Sequence, residues 1–247
     1  MTDAERADAL RRLLLKLRAR DLLSDEEAKA LGETIAEVRE LAPGKIIARA
    51  GVTLSECTLL IEGYVCRYRD LADGQRQIME VHVPGDFLDL HSFLLKQLDH
   101  NVGSMTPVRY AAVPHEAIRR LTETQPHLSR ILWFSTLLDA AIHREKILSI
   151  GRRSALARIA HLFCELYIRL EVAGLAADHR YALPLTQADL ADSTGLTSVH
   201  VNRMLKRLRQ DGLLTFRSGE VVIHDFDALE RLAEFDAGYL HLERRPR

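Results

Sequence analysis

The stretch TQADLADSTGLTSVHVNRMLKRLR, residues 186–209, sets the fold of the C-terminal part of this chain. Gly195 stands where a tight turn between two helices needs a relaxed backbone. Thr197 follows at the N-cap position of the second helix, where its side-chain oxygen can accept a backbone N–H. Two crossing helices also need small or apolar residues where they meet, and the stretch supplies Leu190, Ala191, Leu196, Val201, Met204 and Leu205. The pattern predicts a helix-turn-helix.

The second of these helices is basic. It carries Arg203, Lys206, Arg207 and Arg209 and no acidic residue. Such a face suits the phosphate-lined groove of double-stranded DNA. An amphipathic helix pair whose basic face is merely solvated is the alternative interpretation.

The composition shows that any DNA affinity must come from a local patch. The 247 residues include 34 Lys and Arg against 35 Asp and Glu, and 47% are hydrophobic. The chain is therefore neither disordered nor a polycation, and it is long enough for one large or two moderate domains.

The three cysteines, Cys57, Cys66 and Cys164, lie far apart and show no spacing typical of metal ligands. This usage indicates inert thiols in a reducing cytoplasm. Residues 1–20 mix acids and bases through their apolar positions, which predicts an amphipathic helix rather than a signal peptide. No apolar run is long enough to span a membrane, so we expect a cytoplasmic protein without a membrane partner.

The N-terminal half combines helices with a β-rich region. A first helix is predicted over residues 5–20, and Ser24 with Glu27 forms a capping box that opens a second. From Lys45 to Pro114, short β-prone runs alternate with turn signals such as Asp73-Gly74. Their spacing is typical of a single antiparallel, jelly-roll-like β-roll.

A long helix is predicted to begin at Pro126 and to end at Gly151, which we interpret as a hinge. Its 3-4 spacing of seam residues is typical of a two-stranded coiled coil and predicts a dimer interface. The alternative is a helix buried against its own domain, because the period alone does not distinguish the two. The seam consists of Ile131, Phe134, Leu138, Ala141, Glu145 and Leu148.

A hairpin is predicted after the helix-turn-helix. Residues 213–225, LLTFRSGEVVIHD, form two strands joined at Ser218-Gly219, and Asp225 caps a last helix. The fold class is α+β: N-terminal helices and a β-roll domain over residues 1–125, a dimerisation helix over 126–150, and a winged helix-turn-helix domain over 151–247.

In these features the sequence resembles transcription regulators of the CRP/FNR family. The resemblance covers about residues 20–230 and is carried by LIEGYVCRYR (60–69), VHVPGDF (81–87), the long helix, and the helix-turn-helix with its wing. It implies a cyclic-nucleotide-binding-like roll and a homodimer joined through the long helices. Each recognition helix would then lie in the major groove of a palindromic site, with half-sites about one DNA turn (~34 Å) apart. It also implies RNA polymerase as a partner.

The resemblance assigns residues to DNA contact. Arg203 matches the family's recognition-helix arginine, whose guanidinium fits guanine O6 and N7. Val199 stands where many relatives have a glutamate, so contact with a thymine methyl and a different half-site are expected. The remaining candidates are Thr197, Ser198, His200, Asn202 and Lys206 on the recognition helix, and Thr186, Gln187 and Arg217 as phosphate contacts.

The same resemblance places an effector pocket in the roll, and here the sequence departs from cyclic-nucleotide-binding members. Their Gly-Glu and Arg-Ser pairs align with Asp89-Leu90 and His100-Asn101. Without the arginine a buried phosphate lacks its cation, which disfavours cyclic AMP. The candidate pocket residues are Leu90, His91, His100 and Asn101.

No cofactor is predicted. The three scattered cysteines do not supply an all-cysteine iron–sulfur site. Haem stays open as an alternative because His82, His91, His100 and His115 lie in or near the roll. Cys66 is expected to be an inert strand cysteine rather than an oxidant sensor.

Two further alternatives concern function. Glu80 and His82, two apart on a strand, would suit a cupin-like metalloenzyme, but the other ligands of such a site are absent and we expect no enzyme activity. A regulator without an effector, controlled by its abundance or by a partner, is equally compatible with the sequence. In that case the apolar residues between Phe87 and Leu95 fill a pocket; otherwise they line a cavity for an apolar ligand.

Overall fold

A computed structural model describes residues 2–245 of the chain. These residues form two compact units. The first comprises Met1–Tyr68, Val81–Ala140 and His241–Arg247, and the second comprises Arg69–Glu80 and Ala141–Leu240. The chain passes from one unit to the other within one hairpin and within one long helix. Each of these two elements therefore contributes residues to both units.

Two capped helices open the first unit. They are α1 (Asp3–Arg18) and α2 (Asp25–Glu33). The predicted box at Ser24 and Glu27 is confirmed, since each side chain accepts the other's backbone N–H. Thr2 and Glu5 form a second box, which starts α1 two residues before the predicted position. In each box two backbone N–H groups that lack helical acceptors are satisfied.

The predicted β-roll is present as two sheets. The strands are β1 (Glu37–Leu41), β2 (Ile46–Ala48), β3 (Glu56–Glu62), β4 (Val65–Asp70), β5 (Arg76–His82), β6 (Asn101–Ser104) and β7 (Val108–Pro114). One sheet has the order β1-β7-β3 and the other β2-β6-β4-β5. The tip of the β4–β5 hairpin is grouped with the second unit.

The strand β3 is buried on both faces. Its Leu59 and Ile61 join a core cluster with the leucines of α1, whereas Leu60 joins a second cluster with Val65 and Val102. Successive strand side chains point to opposite faces, so each face serves one cluster. This explains the uninterrupted apolar run in the middle of the strand.

The short helix α3 (Ser92–Leu95) lies between β5 and β6, and α4 (His115–Thr124) and α5 (Pro126–Arg152) follow β7. With 27 residues, α5 is about 40 Å long at 1.5 Å per residue. The helix α5 includes Gly151 and ends one residue later, at Arg152. The break comes at Ser154, whose side chain accepts the backbone N–H of Ala157 and caps the next helix. One glycine costs a helix only about 1 kcal/mol, whereas an N-cap starts a new one.

The second unit has the predicted winged helix-turn-helix order. Its helices are α6 (Ala155–Val172), α7 (Gln187–Thr194), α8 (Ser198–Gln210) and α9 (Phe226–Ala233), followed by a 3₁₀ turn over Ala237–Leu240. The wing strands β10 (Leu214–Arg217) and β11 (Glu220–Ile223) are confirmed. Two short strands that were not predicted, β8 (Ala176–Ala177) and β9 (Arg180–Ala182), extend the sheet to the order β10-β11-β9-β8.

Across residues 2–245, none of the helices combines the length and the apolar character that crossing a lipid bilayer requires.

Candidate DNA-binding surface

The first helix of the pair, α7, is fixed at both ends. Thr186 caps it, and Asp189 accepts the backbone N–H of Thr186 at 2.9 Å. Gly195 ends it in the left-handed conformation with φ 64°, as its place in the turn predicts. Leu190 and Ala191 are buried toward the rest of the unit, so the helix has one defined face for packing.

The second helix, α8, begins with the predicted cap: the Thr197 side chain accepts the backbone N–H of His200 at 3.2 Å. Val201 and Leu208 are fully buried and hold one face of α8 against the domain. The opposite face leaves Val199 72% exposed. The other exposed residues of α8 are Ser198, Asn202, Arg203, Lys206, Arg207, Arg209 and Gln210.

The cations of α8 differ in their surroundings. Arg207 donates through Nε to Asp211 at 2.7 Å. The side chains of Arg203 and Lys206 make neither a hydrogen bond nor an ion pair with any of residues 2–245. Asn202 donates to the Gln187 side chain at 3.2 Å, which ties the exposed face of α8 to the start of α7. Arg203 and Lys206 are therefore free to meet an external anion.

The wing ends in a tight turn. Ser218 and Gly219 both have positive φ, 54° and 75°, as a two-residue hairpin turn requires. Arg217 is exposed beside this turn, and its register partner on β11 is Glu220. The predicted phosphate contacts Thr186, Gln187 and Arg217 are all exposed.

Comparison with known proteins assigns this arrangement to a family. A model described as a Crp-like helix-turn-helix domain matches residues 157–232, and one described as a cyclic nucleotide-binding domain matches residues 38–125. The nitrogen fixation regulation protein FixK of Bradyrhizobium diazoefficiens is 30% identical over 179 residues, which cover 70% of this chain and 72% of that protein. This chain belongs to the CRP/FNR family.

Other relatives agree with this assignment. The transcriptional activator protein FnrL of Cereibacter sphaeroides is 26% identical over 211 residues, covering 83% of this chain and 84% of that protein. The structure of FixK2 from Bradyrhizobium japonicum matches with a TM-score of 0.74 at 25% identity, over 82% of this chain and 100% of that one. The protein is a DNA-binding transcription regulator of the CRP/FNR type, and its named relatives are regulators too.

The interior of this regulator's roll holds an arginine to which the sequence patterns assigned no role. The Arg67 side chain is only 1% exposed. It donates to the Leu88 carbonyl at 2.8 Å and to Asp139 of α5 at 2.8 Å. Its place directly after Val65 and Cys66 in β4 is the sequence signal that could have revealed it, since a guanidinium buried beside apolar residues needs partners.

Two more buried ionisable groups belong to the same unit. Asp89 accepts the Thr58 backbone N–H at 2.6 Å, yet burial raises the pKa of its carboxyl to about 7. Burial, and next the charge of Arg67, lower the pKa of His82 to about 3. Thus His82 is neutral at physiological pH, and Asp89 changes charge near neutrality.

Three of the four predicted pocket residues lie near one another, but they do not all line one cavity. Leu90 and His91 line an apolar cavity beside α3, α4 and α5. The ring of His100 lies 5.6 Å from that of His91, and its Nδ1 is 2.7 Å from Asp99. Asn101, at the start of β6, instead accepts the Ala50 backbone N–H. His100 and Asn101 are not among the lining residues of the cavity.

In the second unit, the hairpin tip contacts the helix-turn-helix. Arg76 of β5 donates to Asp192 at 2.8 Å and to Asp189 at 3.1 Å, and Gln77 donates to the Asp192 carbonyl at 2.8 Å. Asp189 thereby serves both as a capping residue and as an ion-pair partner. No local sequence pattern predicts this contact, because the residues lie more than 110 positions apart.

The carboxylate of Glu80 is not arranged as a metal ligand. It lies 3.5 Å from Arg169 and 3.4 Å from His143, and the side chain is 1% exposed. Among the residues that the structure describes, no group of three or more His, Cys, Asp or Glu side chains could hold a metal ion.

The predicted seam of α5 needs correction. Ile131 and Ala141 are 2% and 3% exposed, so they pack within this chain. Glu145 lies 2.6 Å from Arg153 and is occupied as well. Phe134 and Leu138 are half-buried, and Leu148 is 48% exposed. Residues repeat at 3-4 spacing on two faces of α5, and one of these faces covers its own domain. The spacing alone therefore does not show which face would meet a partner helix.

Proposed function

We propose that this regulator binds a two-fold symmetric operator as a homodimer, with α8 of each subunit in the major groove. The observation that carries the proposal is the exposed face of α8, where Arg203 and Lys206 have no partner among residues 2–245. On the opposite face, buried Val201 and Leu208 fix the helix to its domain. A rigid helix with free cations on its outer face is what major-groove contact requires.

The residues of this face divide by chemistry. Arg203 has the fork geometry that binds guanine O6 and N7 bidentately. Val199, 72% exposed, offers only apolar contact and suits a thymine methyl. Ser198, His200 and Asn202 remain candidates for base or phosphate contact. Lys206 and Arg217 would bind phosphates, together with the N-terminus of α7 at Thr186 and Gln187.

The dimer would form along a different stripe of α5 from the predicted one. Trp133, Leu137 and Ile147 are 67%, 53% and 72% exposed. With Ala140 and Arg144 between them, they follow the 4-3-4-3 spacing of a coiled-coil seam. Exposed apolar residues repeating along one helix face favour a partner helix on that face. A charge at Leu137 would separate the subunits, which sedimentation would detect.

Cyclic AMP is not the effector in this proposal. The buried cation of the roll, Arg67, is already bound by the Leu88 carbonyl and Asp139. Asp89 adds a carboxyl to the same unit, which a phosphate would have to approach. Titration calorimetry with cyclic AMP should show no binding; micromolar binding would contradict this part of the proposal.

RNA polymerase is proposed as a second partner, since several relatives are named as transcriptional activators. DNA and polymerase as partners would place the protein in the cytoplasm. Transcription in vitro from a promoter that carries the selected operator would test this: an increase that depends on the regulator supports it, and no change contradicts it.

The experiment that tests operator binding is selection from a random duplex library with the purified chain and no added ligand. A palindrome with half-sites about one turn (~34 Å) apart supports the proposal. It would also favour a regulator that needs no effector for DNA binding. Enrichment of a single, non-repeated half-site would contradict the homodimer.

A further inference from the structure

A cavity of about 410 Å³ lies in the first unit, outside the strands of the roll. Its walls come from α3, α4 and α5 together with Leu90 and His91. This volume falls within the range of sites that hold small organic molecules. Neither Arg67 nor Asp89 lines it, so it is separate from the buried ionisable groups of the roll.

The floor and the rim of this cavity differ in exposure. Ile118 and Leu132, at the floor, are 1% and 5% exposed and belong to the core cluster of the unit. At the rim, Leu94, Leu95 and Trp133 are 77%, 66% and 67% exposed. The cavity is thus an opening into the core surrounded by apolar side chains that water now covers. An occupant would remove this apolar surface from water, which is favourable.

The three hydroxyls of the wall have already used their protons, and its other polar groups are the His91 imidazole and the Trp133 indole N–H. The Thr122 hydroxyl donates to the Arg119 carbonyl at 2.9 Å, and the Ser129 hydroxyl donates to the Thr122 carbonyl at 2.8 Å. The Thr136 hydroxyl donates to the Trp133 carbonyl at 2.7 Å. Each hydroxyl therefore turns its proton toward a backbone carbonyl and offers the cavity no donor.

No Asp, Glu, Lys or Arg side chain lies among the lining residues that the structure describes. A charged ligand would lose its hydration here, and no Asp, Glu, Lys or Arg side chain of the wall compensates for that loss. The wall chemistry thus disfavours nucleotides, phosphates and free carboxylates. It favours a molecule that needs no charge from the protein.

We propose that this cavity is a binding site for an uncharged, mainly hydrocarbon or aromatic molecule of about the size of two or three rings. The site goes beyond operator binding and does not depend on it. Phe93 lines the cavity, and its ring packs edge-on against His115 at 5.8 Å and lies 5.0 Å from the Lys96 ammonium. Aromatic walls of this kind pack well against flat apolar ligands.

The sequence contains its own reporter for this site, because Trp133 on the rim is the only tryptophan of the chain. The experiment titrates the purified full-length protein with N-phenyl-1-naphthylamine, an uncharged aromatic probe that accepts energy from tryptophan. We expect saturable energy transfer from Trp133 with one probe per chain. Absence of saturable transfer overturns the proposal.

Two matched variants locate the probe. Thr122→Phe fills the cavity and should weaken probe binding at least about tenfold, or about 1.4 kcal/mol. Thr124→Phe adds the same ring two residues away on α4, outside the lining, and should bind as the parent does. Thr136→Leu, which narrows the cavity from α5, is a second blocking variant if Thr122→Phe does not fold by circular dichroism. Equal probe affinity in blocking and control variants overturns the proposal.

A second copy of the chain is the competing occupant, since Trp133 also belongs to the proposed seam of α5. Probe affinity is therefore measured over a dilution series in which sedimentation reports the oligomeric state. Affinity that is the same for monomer and dimer supports a ligand site. Binding that occurs only after the dimer dissociates would mean that the partner subunit fills the cavity, and the proposal falls. DNA takes no part in these measurements, so their failure leaves operator binding untouched.

Discussion

Replacing Arg203 with Ala gives the sharpest test of how this regulator contacts DNA. The Arg203 side chain has no partner among residues 2–245, so its removal breaks no contact within the described chain. The loss should therefore fall on DNA binding and not on folding. We expect the variant to lose its preference for one guanine in each half-site, at roughly 1 to 3 kcal/mol per half-site. This corresponds to roughly 5- to 150-fold in discrimination.

The helix geometry also predicts where that guanine lies. Val199 and Arg203 are four residues apart on the exposed face of α8, which is about 6 Å along the helix axis at 1.5 Å per residue. Neighbouring base pairs are about 3.4 Å apart along the duplex. If α8 follows the groove, the guanine at Arg203 and a thymine at Val199 should be separated by about two base pairs.

The assay measures binding of the parent and three variants to the selected operator and to its single-base substitutions, by fluorescence anisotropy at several salt concentrations. Lys206→Ala should weaken binding to every sequence alike. Its log–log salt slope should flatten by about 0.9 for each phosphate that the variant no longer neutralises. Arg207→Ala is the matched control for Arg203→Ala, because Arg207 is already paired with Asp211 at 2.7 Å. Arg207→Ala should therefore weaken operator binding less than Arg203→Ala does.

One result would refute this reasoning. If Arg203→Ala weakened binding to all base substitutions equally and reduced the salt slope as Lys206→Ala does, Arg203 would be a phosphate contact. The orientation of α8 in the groove would then differ from the proposed one.

Three further predictions concern stability. Thr197→Ala removes the cap of α8 and should lower the free energy of unfolding, measured in urea titrations, by about 0.5 to 2 kcal/mol. Thr197→Asn should retain most of the stability that the cap provides. Equal losses of stability in the two variants would argue against capping. Because the pKa of Asp89 is raised to about 7 in the folded protein, the folded state keeps a proton that the unfolded state releases. The stability of the parent relative to Asp89→Asn should therefore fall as pH rises from about 4 to 7, by up to roughly 1.4 kcal/mol per pH unit. A flat difference across this window in urea titrations would show that the carboxyl ionises normally. A double-mutant cycle of Arg76→Gln and Asp192→Asn should give a coupling of about 0.2 to 1 kcal/mol, as is usual for a partly exposed ion pair, and zero coupling would mean that the hairpin tip is not held by this pair.

Local signals in the sequence were sufficient for the turns and the helix caps. Gly195 is in the left-handed conformation that its turn requires, and Thr197 and Ser24 cap the helices that follow them. The wing turn lies at Ser218 and Gly219, as predicted. Each of these features depends on residues within about four positions of one another, so the local sequence carries the whole interaction.

Features that depend on which face of an element meets which neighbour were harder to predict. Along α5 the same 3-4 period describes both the face buried in its own domain and the exposed stripe through Trp133 and Leu137, so the predicted seam included buried Ile131 and Ala141. A 3-4 period predicts that a helix has an apolar face. Which residues of the helix are buried depends on packing partners that are distant in the chain.

The contacts between distant residues became visible only in three dimensions. Arg67 meets Asp139 and Arg76 meets Asp192, at separations of 72 and 116 residues. The sequence contained all four charges, yet nothing in their spacing pairs them, because an ion pair depends on distance in space and not along the chain. The same holds for the apolar cavity, because two strands separate α3 from α4 and α5 in the sequence and only folding brings the three helices around a common space.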